Sequence, residues 1–327
     1  MKLFREILSI DSTSGREREL GLWLASHLEA PSVEVFEVGD GTINLFLKWG
    51  TPKVVFCSHM DTVPPYIPPT FESDRIFGRG TCDAKGQFYA MYLACRALAA
   101  SGRDGFGLLI VSGEETGSWG AKAFAKTPFQ APVLIVGEPT DGKMVSASKG
   151  TKSFALNFTG KAFHSGYPSF GESAVELFVD FMERLRAEKF PGDAILGPTT
   201  FNVGELRSDN PQNILSPSLE CRIYFRTTFA SDEMVSLWMR SQNSSSLKVI
   251  ERGGDAPAHY MTLPGFPAAA VSFGSDAPHL TNFEHKIICG PGSITCAHRD
   301  DEHIILSDFE KAVDTYIEIF KTLEKQI

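Results

Sequence analysis

The sequence predicts an α/β protein, a mainly parallel-sheet domain with a ferredoxin-like unit inserted into it. Three observations carry that expectation. Short apolar runs alternate with helical patterns over residues 1–148 and again over 254–327. Between them, residues 149–253 read β-α-β-β-α-β, the order of a ferredoxin-like lid. Acids and histidines stand directly after several of the apolar runs.

Taken in order, the chain opens on a helix with Ser14 as cap and Glu17 three residues on, a capping-box pattern. Leu20, Trp23, Leu24 and Leu28 come next at helical spacing. The runs TINLFLKW, PKVVFCS, GLLIVSG and PVLIVGE then read as strands buried on both faces. Between the second and third, Phe88, Met91, Tyr92, Cys95 and Leu98 make one helical stripe that Gly102 is expected to end. After residue 148 the style changes. TKSFALNF alternates like a half-exposed strand, SFGESAVELFVDFMERLRAE reads as an amphipathic helix, and PTTFNVGEL with SLECRIYFRTTF reads as a strand pair. A second helix comes after these with Ser231 as its cap, and SLKVIER closes the unit as a strand. AAAVSFG and KIICGPG then read as further strands, and a last helix is expected from Ser307, with Glu310 completing another capping box.

Composition bounds the function. With 31 basic and 40 acidic side chains in 327 residues the net charge is 31 − 40 = −9, which disfavours nucleic-acid partners. Six cysteines without a CxxC pair argue against a disulfide scaffold or a thiolate metal site, and read as small buried hydrophobes of a reducing compartment. Neither a secretory leader nor a long apolar span is expected, so no membrane association is predicted and the cytoplasm is the default.

The chemistry lies in the residues at the exit of each buried strand. PKVVFCS runs into His59-Met60-Asp61, GLLIVSG into Glu114-Glu115, PVLIVG into Glu138, and IFGRGTC into Asp83, while KIICGPG leads on to His298. In open α/β sheets, sites form outside the carboxyl ends of the strands, so these residues are aimed at one edge. Two imidazoles with several carboxylates suit zinc or a similar first-row ion, and carboxylates can bridge a pair of ions. Adjacent residues leaving a strand point to opposite sides, so one member of Glu114-Glu115 can bind metal while the other faces an attacking water.

These motifs resemble the M20 family of co-catalytic zinc amidohydrolases and peptidases. The matching pieces are SHMDTVP at 58–64, GRGTCDAKG at 78–86, SGEETGSWGA at 112–121, GEPT at 137–140, GKAFHSGYP at 160–168 and GPGSITCAHRDDE at 290–302. They occur in family order over nearly the whole chain. The resemblance implies that His59 and Glu138 bind one zinc, that Glu115 and His298 bind a second, and that Asp83 bridges both; cobalt and manganese suit the same ligands. It further implies that Asp61 orients His59, that Glu114 is the general base and then acid, and that His164 in the lid stabilises the oxyanion, from the same chain or from a partner's lid. Asn213 and Arg226 resemble lid residues that read the substrate, with Arg222 as the rival of Arg226. Relatives often carry Thr or Ser where this chain has Arg299. Ser275-Asp276 reads equally as a pocket rim or as a turn, and His259, His279, His285 and His303 read as structural.

The implied reaction is hydrolysis of the amide bond of an N-acyl amino acid. The GEPT and SASKGT motifs resemble the acetylornithine deacetylase and succinyl-diaminopimelate desuccinylase branch, which points to N-acetylornithine or a related compound of arginine or lysine biosynthesis. An aminopeptidase or dipeptidase is the nearest alternative, and a non-catalytic metal-dependent binding module is the alternative of another class. The family's habit of pairing lids implies a homodimer.

Overall fold

Strands that are buried along their whole length need cover on both faces, and the helices of this chain supply it. In the computed structural model, which describes residues 1–39 and 41–326, the chain divides into two units. The larger holds Met1–Ser146, Tyr260–Ala269 and Ser275–Ile327; the smaller holds Ala147–His259 and Ala270–Gly274. The first 148 residues carry α1 (Lys2–Ser9), α2 (Glu17–His27), β1 (Ser32–Gly39), β2 (Thr42–Trp49), β3 (Val54–His59), β4 (Thr70–Phe71), β5 (Arg75–Phe77), α3 (Lys85–Ala100), β6 (Phe106–Val111), α4 (Trp119–Phe124), β7 (Ala131–Val136) and β8 (Met144–Ser148). Next come β9 (Gly150–Thr159), α5 (Ala174–Ala187), β10 (Thr200–Arg207), β11 (Ser218–Thr227), α6 (Asp232–Ser241) and β12 (Leu247–Gly253). The chain ends with β13 (Ala258–His259), β14 (Ala268–Val271), β15 (Phe283–Ile288), β16 (His303–Ile305) and α7 (Leu306–Glu324).

The main sheet of the larger unit runs β1-β2-β6-β3-β7-β15. Strands β6, β3, β7 and β15 are mutually parallel, while β2 and β1 are antiparallel additions at one side. Sequence patterning therefore finds the parallel centre but not β1, whose residues are half-buried to exposed and leave no apolar run. Along the central strands every residue of Val54–His59 and Phe106–Val111 is buried. The stripe Phe88, Met91, Cys95 and Leu98 of α3 is buried as well, and Gly102, at φ +78°, lies just past the end of that helix.

Three caps expected from sequence differ in the structure. Helix α2 starts at Glu17 behind Arg16, with no side-chain cap, because Ser14 spends its hydroxyl on Asp61. Helix α7 already contains Ser307, since Ile305 occupies the cap position. Ser231 does stand at the cap of α6, but its hydroxyl bonds to Thr228 and Thr199 instead of the helix.

Phe4 shows how the ends of the chain are held. Its ring is fully buried, stacked on Tyr89 of α3 at 4.9 Å and on Phe309 of α7 at 5.3 Å between centroids. Phe4→Ala is expected to destabilise this unit by about 3–5 kcal/mol through the cavity it leaves. Urea unfolding monitored by tryptophan fluorescence checks this, and an unchanged midpoint contradicts it.

In the smaller unit the sheet runs β10-β11-β9-β12, antiparallel throughout, with α5 and α6 in the β-α-β-β-α-β order that defines a ferredoxin-like unit. Strand β11 alternates strictly. Leu219, Cys221, Ile223 and Phe225 are buried, and Glu220, Arg222 and Tyr224 are exposed. Phe154, Phe158, Phe181 and Phe225 fill the space under the helices. All six cysteines are free, and five are buried. Among the described residues no helix is long and apolar enough to cross a membrane.

Candidate metal centre and active site

Parallel strands put their carboxyl ends at one edge, and this edge collects the chemistry. His59 is the last residue of β3. The hydrogen bond from Met60 N to Val111 O, 2.8 Å, carries the pairing of β3 with β6 one step further and brings Asp61 beside the Glu114-Glu115 turn. Gly137 N bonds Cys57 O at 2.8 Å, which sets Glu138 on the opposite flank of β3.

Asp61 is the hub of this edge. It is fully buried. Its Oδ1 accepts from Glu114 N at 3.0 Å, and its Oδ2 accepts from Glu115 N at 3.2 Å and from Ser14 Oγ at 2.9 Å. The backbone carbonyl of Asp61 lies 2.9 Å from His59 Nδ1, with Oδ1 at 3.4 Å. Acceptors alone face Nδ1, so that nitrogen carries the proton and Nε2 is directed at the cluster.

Asp83 stands between the two imidazoles. Its Oδ1 is 3.1 Å from His59 Nε2 and its Oδ2 is 3.3 Å from His298 Nε2. His298 Nε2 also meets Glu115 Oε1 at 2.9 Å. Ligand atoms of His59, Asp83 and Glu115 all fall within 4.8 Å of one another. The turn that presents Asp83 depends on two glycines. Gly80 has φ +85°, and a Cβ on Gly86 would sit 2.1 Å from Thr81 O. His298 itself is held at φ +63°, the left-handed region that a non-glycine residue enters only at a cost.

The electrostatics ask for a cation. Burial raises Glu114 and Glu138 well above the usual carboxylate range, and neighbouring acids push them further against the partial relief of His59. Asp83 goes the other way. Burial opposes its ionisation, but hydrogen bonds from His298 and His59 outweigh that and hold it well below the ordinary value. His298 is raised to about 10, first by its hydrogen bond to Asp83 and then by Glu115. For His59, burial is outweighed by Asp61 and Asp83, and it too ends well above normal. Glu138 Oε1 is buried with no hydrogen-bond partner among the described residues, although a buried carboxylate oxygen ordinarily finds one. Crowded acids, two aimed imidazoles and an orphaned carboxylate oxygen form a donor set that fits first-row metal ions.

The structure thus brings His59, Asp61, Asp83, Glu114, Glu115, Glu138 and His298 to one edge of the larger unit. His164, Asn213 and Arg226 belong to the smaller unit. There, residues 163–165 and 213–215 run side by side through Ser165 N to Asn213 O, 2.9 Å, and Leu215 N to Phe163 O, 2.8 Å. His164 is exposed, and its Nδ1 accepts from Gly166 N at 3.0 Å. Arg226 lies over the Tyr224 ring at 4.9 Å, and Lys149 is held below its normal pKa by burial first and then by the charge of Arg226. Arg222 is paired with Glu205 at 2.9 Å.

Two further buried carboxylates belong to this region. Asp276 heads a turn, its carbonyl accepting from His279 N at 3.0 Å, and its side chain is buried. It is 1% exposed, its Oδ1 lacks a partner among the described residues, and burial lifts it to about 6 in the field of His59 and Asp61. The run AAAVSFG just ahead of it forms β14, a half-buried to exposed strand of the small sheet β13-β8-β14 and not of the main sheet. Glu302, third in the acidic run Asp300-Asp301-Glu302, is fully buried while its two neighbours are exposed. Arg299, the departure from the usual motif, pairs its side chain with Asp301 at 2.7 Å.

Residues 55–322 match the model of peptidase family M20/M25/M40. A peptidase M20 domain-containing protein of Schizosaccharomyces pombe is 32% identical over 97% of this chain and 82% of its own length. A probable carboxypeptidase of Aspergillus clavatus is 32% identical over 100% of this chain and 89% of its own. In fold, a tripeptidase from Staphylococcus aureus is similar with a TM-score of 0.84 at 21% identity, covering 99% of this chain and 97% of that one. An M20 family metallo-carboxypeptidase from Sulfolobus solfataricus is similar with a TM-score of 0.76 at 16% identity, covering 97% of each chain. With the family model spanning most of the sequence and relatives aligned almost end to end, the chain belongs to peptidase family M20/M25/M40 and is a hydrolase of that family.

Proposed function

We propose that this hydrolase uses two metal ions to cleave the amide bond of a small substrate bearing a free carboxylate, an N-acyl amino acid or a short peptide. The observation that carries the reading is Asp83 with one carboxylate oxygen toward each imidazole, beside the orphaned oxygen of Glu138. His59 and Glu138 would hold one ion, Glu115 and His298 the other, and Asp83 both. Zinc is the first choice for this donor set, with cobalt or manganese as substitutes. When bound, the ions polarise the scissile carbonyl and acidify water toward neutral pH.

The chain's own residues do the rest. Glu114, with its raised proton affinity, takes a proton from the attacking water and returns it to the leaving nitrogen. Asp61 fixes both the His59 ring and the backbone of Glu114-Glu115. His164 would donate to the oxyanion, either in its own chain or across a homodimer formed through the smaller unit. Arg226, with Asn213, would read the substrate carboxylate; Arg222 is already neutralised by Glu205, and Lys149 adds positive charge beside Arg226. The cytoplasm is the proposed compartment, in keeping with six free cysteines.

Within this class, the names of the fungal relatives favour a peptide cut beside its free carboxyl end. The GEPT and SASKGT motifs instead support N-acetylornithine as the acyl alternative. The test is amine release by zinc-loaded protein with N-acetylornithine, N-acetylcitrulline, succinyl-diaminopimelate, a dipeptide and the same dipeptide with an amidated carboxyl end. Turnover of a carboxylate-bearing substrate is expected, falling at least about tenfold on amidation. Equal turnover of the amidated peptide overturns the carboxylate requirement. Tight binding of these compounds without turnover favours the binding-module alternative.

A further inference from the structure

We infer that Arg79 and Glu302 are positioning residues, a buried cross-tie that sets Asp83 against His298 for the ion those two residues share; this rests on the two-metal reading above. Neither side chain points at the reacting atoms. Their contacts instead join the two turns that carry these ligands.

Glu302 Oε1 accepts from three backbone N–H groups of one turn: Gly80 at 2.9 Å, Cys82 at 3.1 Å and Asp83 at 3.1 Å. Converging amides of this kind form an anion-binding nest, and here the anion is built into the chain. Its other oxygen, Oε2, accepts from Arg79 Nη1 at 2.7 Å. The same nitrogen donates to Arg299 O at 3.0 Å, the carbonyl of the residue directly after His298. Arg79 Nε is fixed on Pro65 O at 3.2 Å. Strand pairing lies alongside, with His303 opposite Phe77 and Gly78 N bonded to Glu302 O at 2.9 Å. One carboxylate thus holds the Asp83 turn, and one guanidinium carries that hold across to the His298 turn.

Burial makes a purely stabilising role a poor explanation. The two side chains are 1% and 0% exposed. A buried ion pair generally gains little over apolar side chains of similar volume, because desolvation offsets the attraction. What it does supply is direction. His298 needs that, since its left-handed backbone persists only if the surroundings hold it. Outer partners that orient metal ligands typically change affinity by about 10–100-fold when removed.

The test uses Glu302→Gln and Arg79→Met in the full chain. Glu302→Gln keeps an acceptor for the three amides but loses its charge partnership with Arg79. Arg79→Met keeps Glu302 in the nest and cuts the link to Arg299 O. Metal-free protein is titrated with Co2+ by visible absorption and with Zn2+ by calorimetry. The ion affected is identified as the one lost in His298→Ala. In both variants that ion is expected to weaken at least about tenfold while the other stays within about threefold. The double variant is expected to be no weaker than the worse single one, as for two parts of one link. Far-UV circular dichroism confirms the fold, and Arg79→Lys, which keeps the charge but not the planar fork, replaces a variant that fails to fold. Folded variants with unchanged affinities, or with both ions weakened equally, overturn the cross-tie. A wild-type chain that takes up fewer than two ions overturns the metal reading itself.

Discussion

Glu114→Ala is expected to lower kcat by about 10²–10⁴-fold while metal content and fold stay those of the wild type. The backbone explains why the loss should be so confined. Asp61 grips the Glu114-Glu115 turn through main-chain N–H groups, which alanine retains. After burial, this side chain is among the acids that raise the pKa of Glu138, so its removal lessens repulsion within the cluster. Glu115 continues to face His298. The measurements are kcat and KM on the best substrate of the panel, metal content by atomic emission, and thermal unfolding. Wild-type turnover in the variant would remove Glu114 from the mechanism.

Stripping metal is expected to abolish turnover and to leave a protein whose stability falls as pH rises. The sign depends on which protonation states the metal-free fold prefers. His298, raised to about 10, and His59, raised well above normal, both favour their charged forms. Their contribution is complete below the ordinary imidazole value of about 6.5 and is lost as pH climbs through the folded values. Glu114, Glu138 and Asp276, the last lifted to about 6, favour their neutral forms and so also lose stability with rising pH. Asp83 and Asp61 are shifted down, and their opposite contribution is already complete above the ordinary carboxylate range near about 4. The thermal midpoint of metal-free protein should therefore decline between about pH 5 and 9. Zinc displaces the protons and binds more tightly as pH rises, so the gap between loaded and stripped midpoints should widen. Unfolding scans of both forms across that range test this. A stripped midpoint that rises with pH would contradict the cluster's charge balance.

Much of this site was legible because it hangs on buried strands. His59, Glu114-Glu115 and Glu138 come after runs so apolar that little but a parallel sheet interior suits them, and parallel strands deliver their ends to one edge. What escaped was set by tertiary competition for a polar group. Ser14 and Glu17 have the spacing of a helix cap, yet Ser14 lies near Asp61, a buried carboxylate with more to gain from its hydroxyl. Glu302 sits third in an acidic run, and nothing local separates it from the exposed Asp300 and Asp301. Only the three amides of a turn some 220 residues away do so. The antiparallel β1 lacks a buried face, so its pattern carried no signal.

The order of the ligands along the chain has a consequence for biosynthesis. The first is His59 and the last His298, a separation of 298 − 59 = 239 residues, and the whole smaller unit is translated between them. That unit, mostly one continuous stretch, can fold while the ribosome is still working. The metal centre cannot. Strand β15 must reach the sheet and residue 298 must leave the exit tunnel before the ligand set is complete. On the proposed two-ion reading, a stalled or truncated chain would lack the last of these ligands. On that reading, loading would fall at the end of synthesis, together with the helix that starts at Leu306 and stacks Phe309 on Phe4 near the chain's beginning.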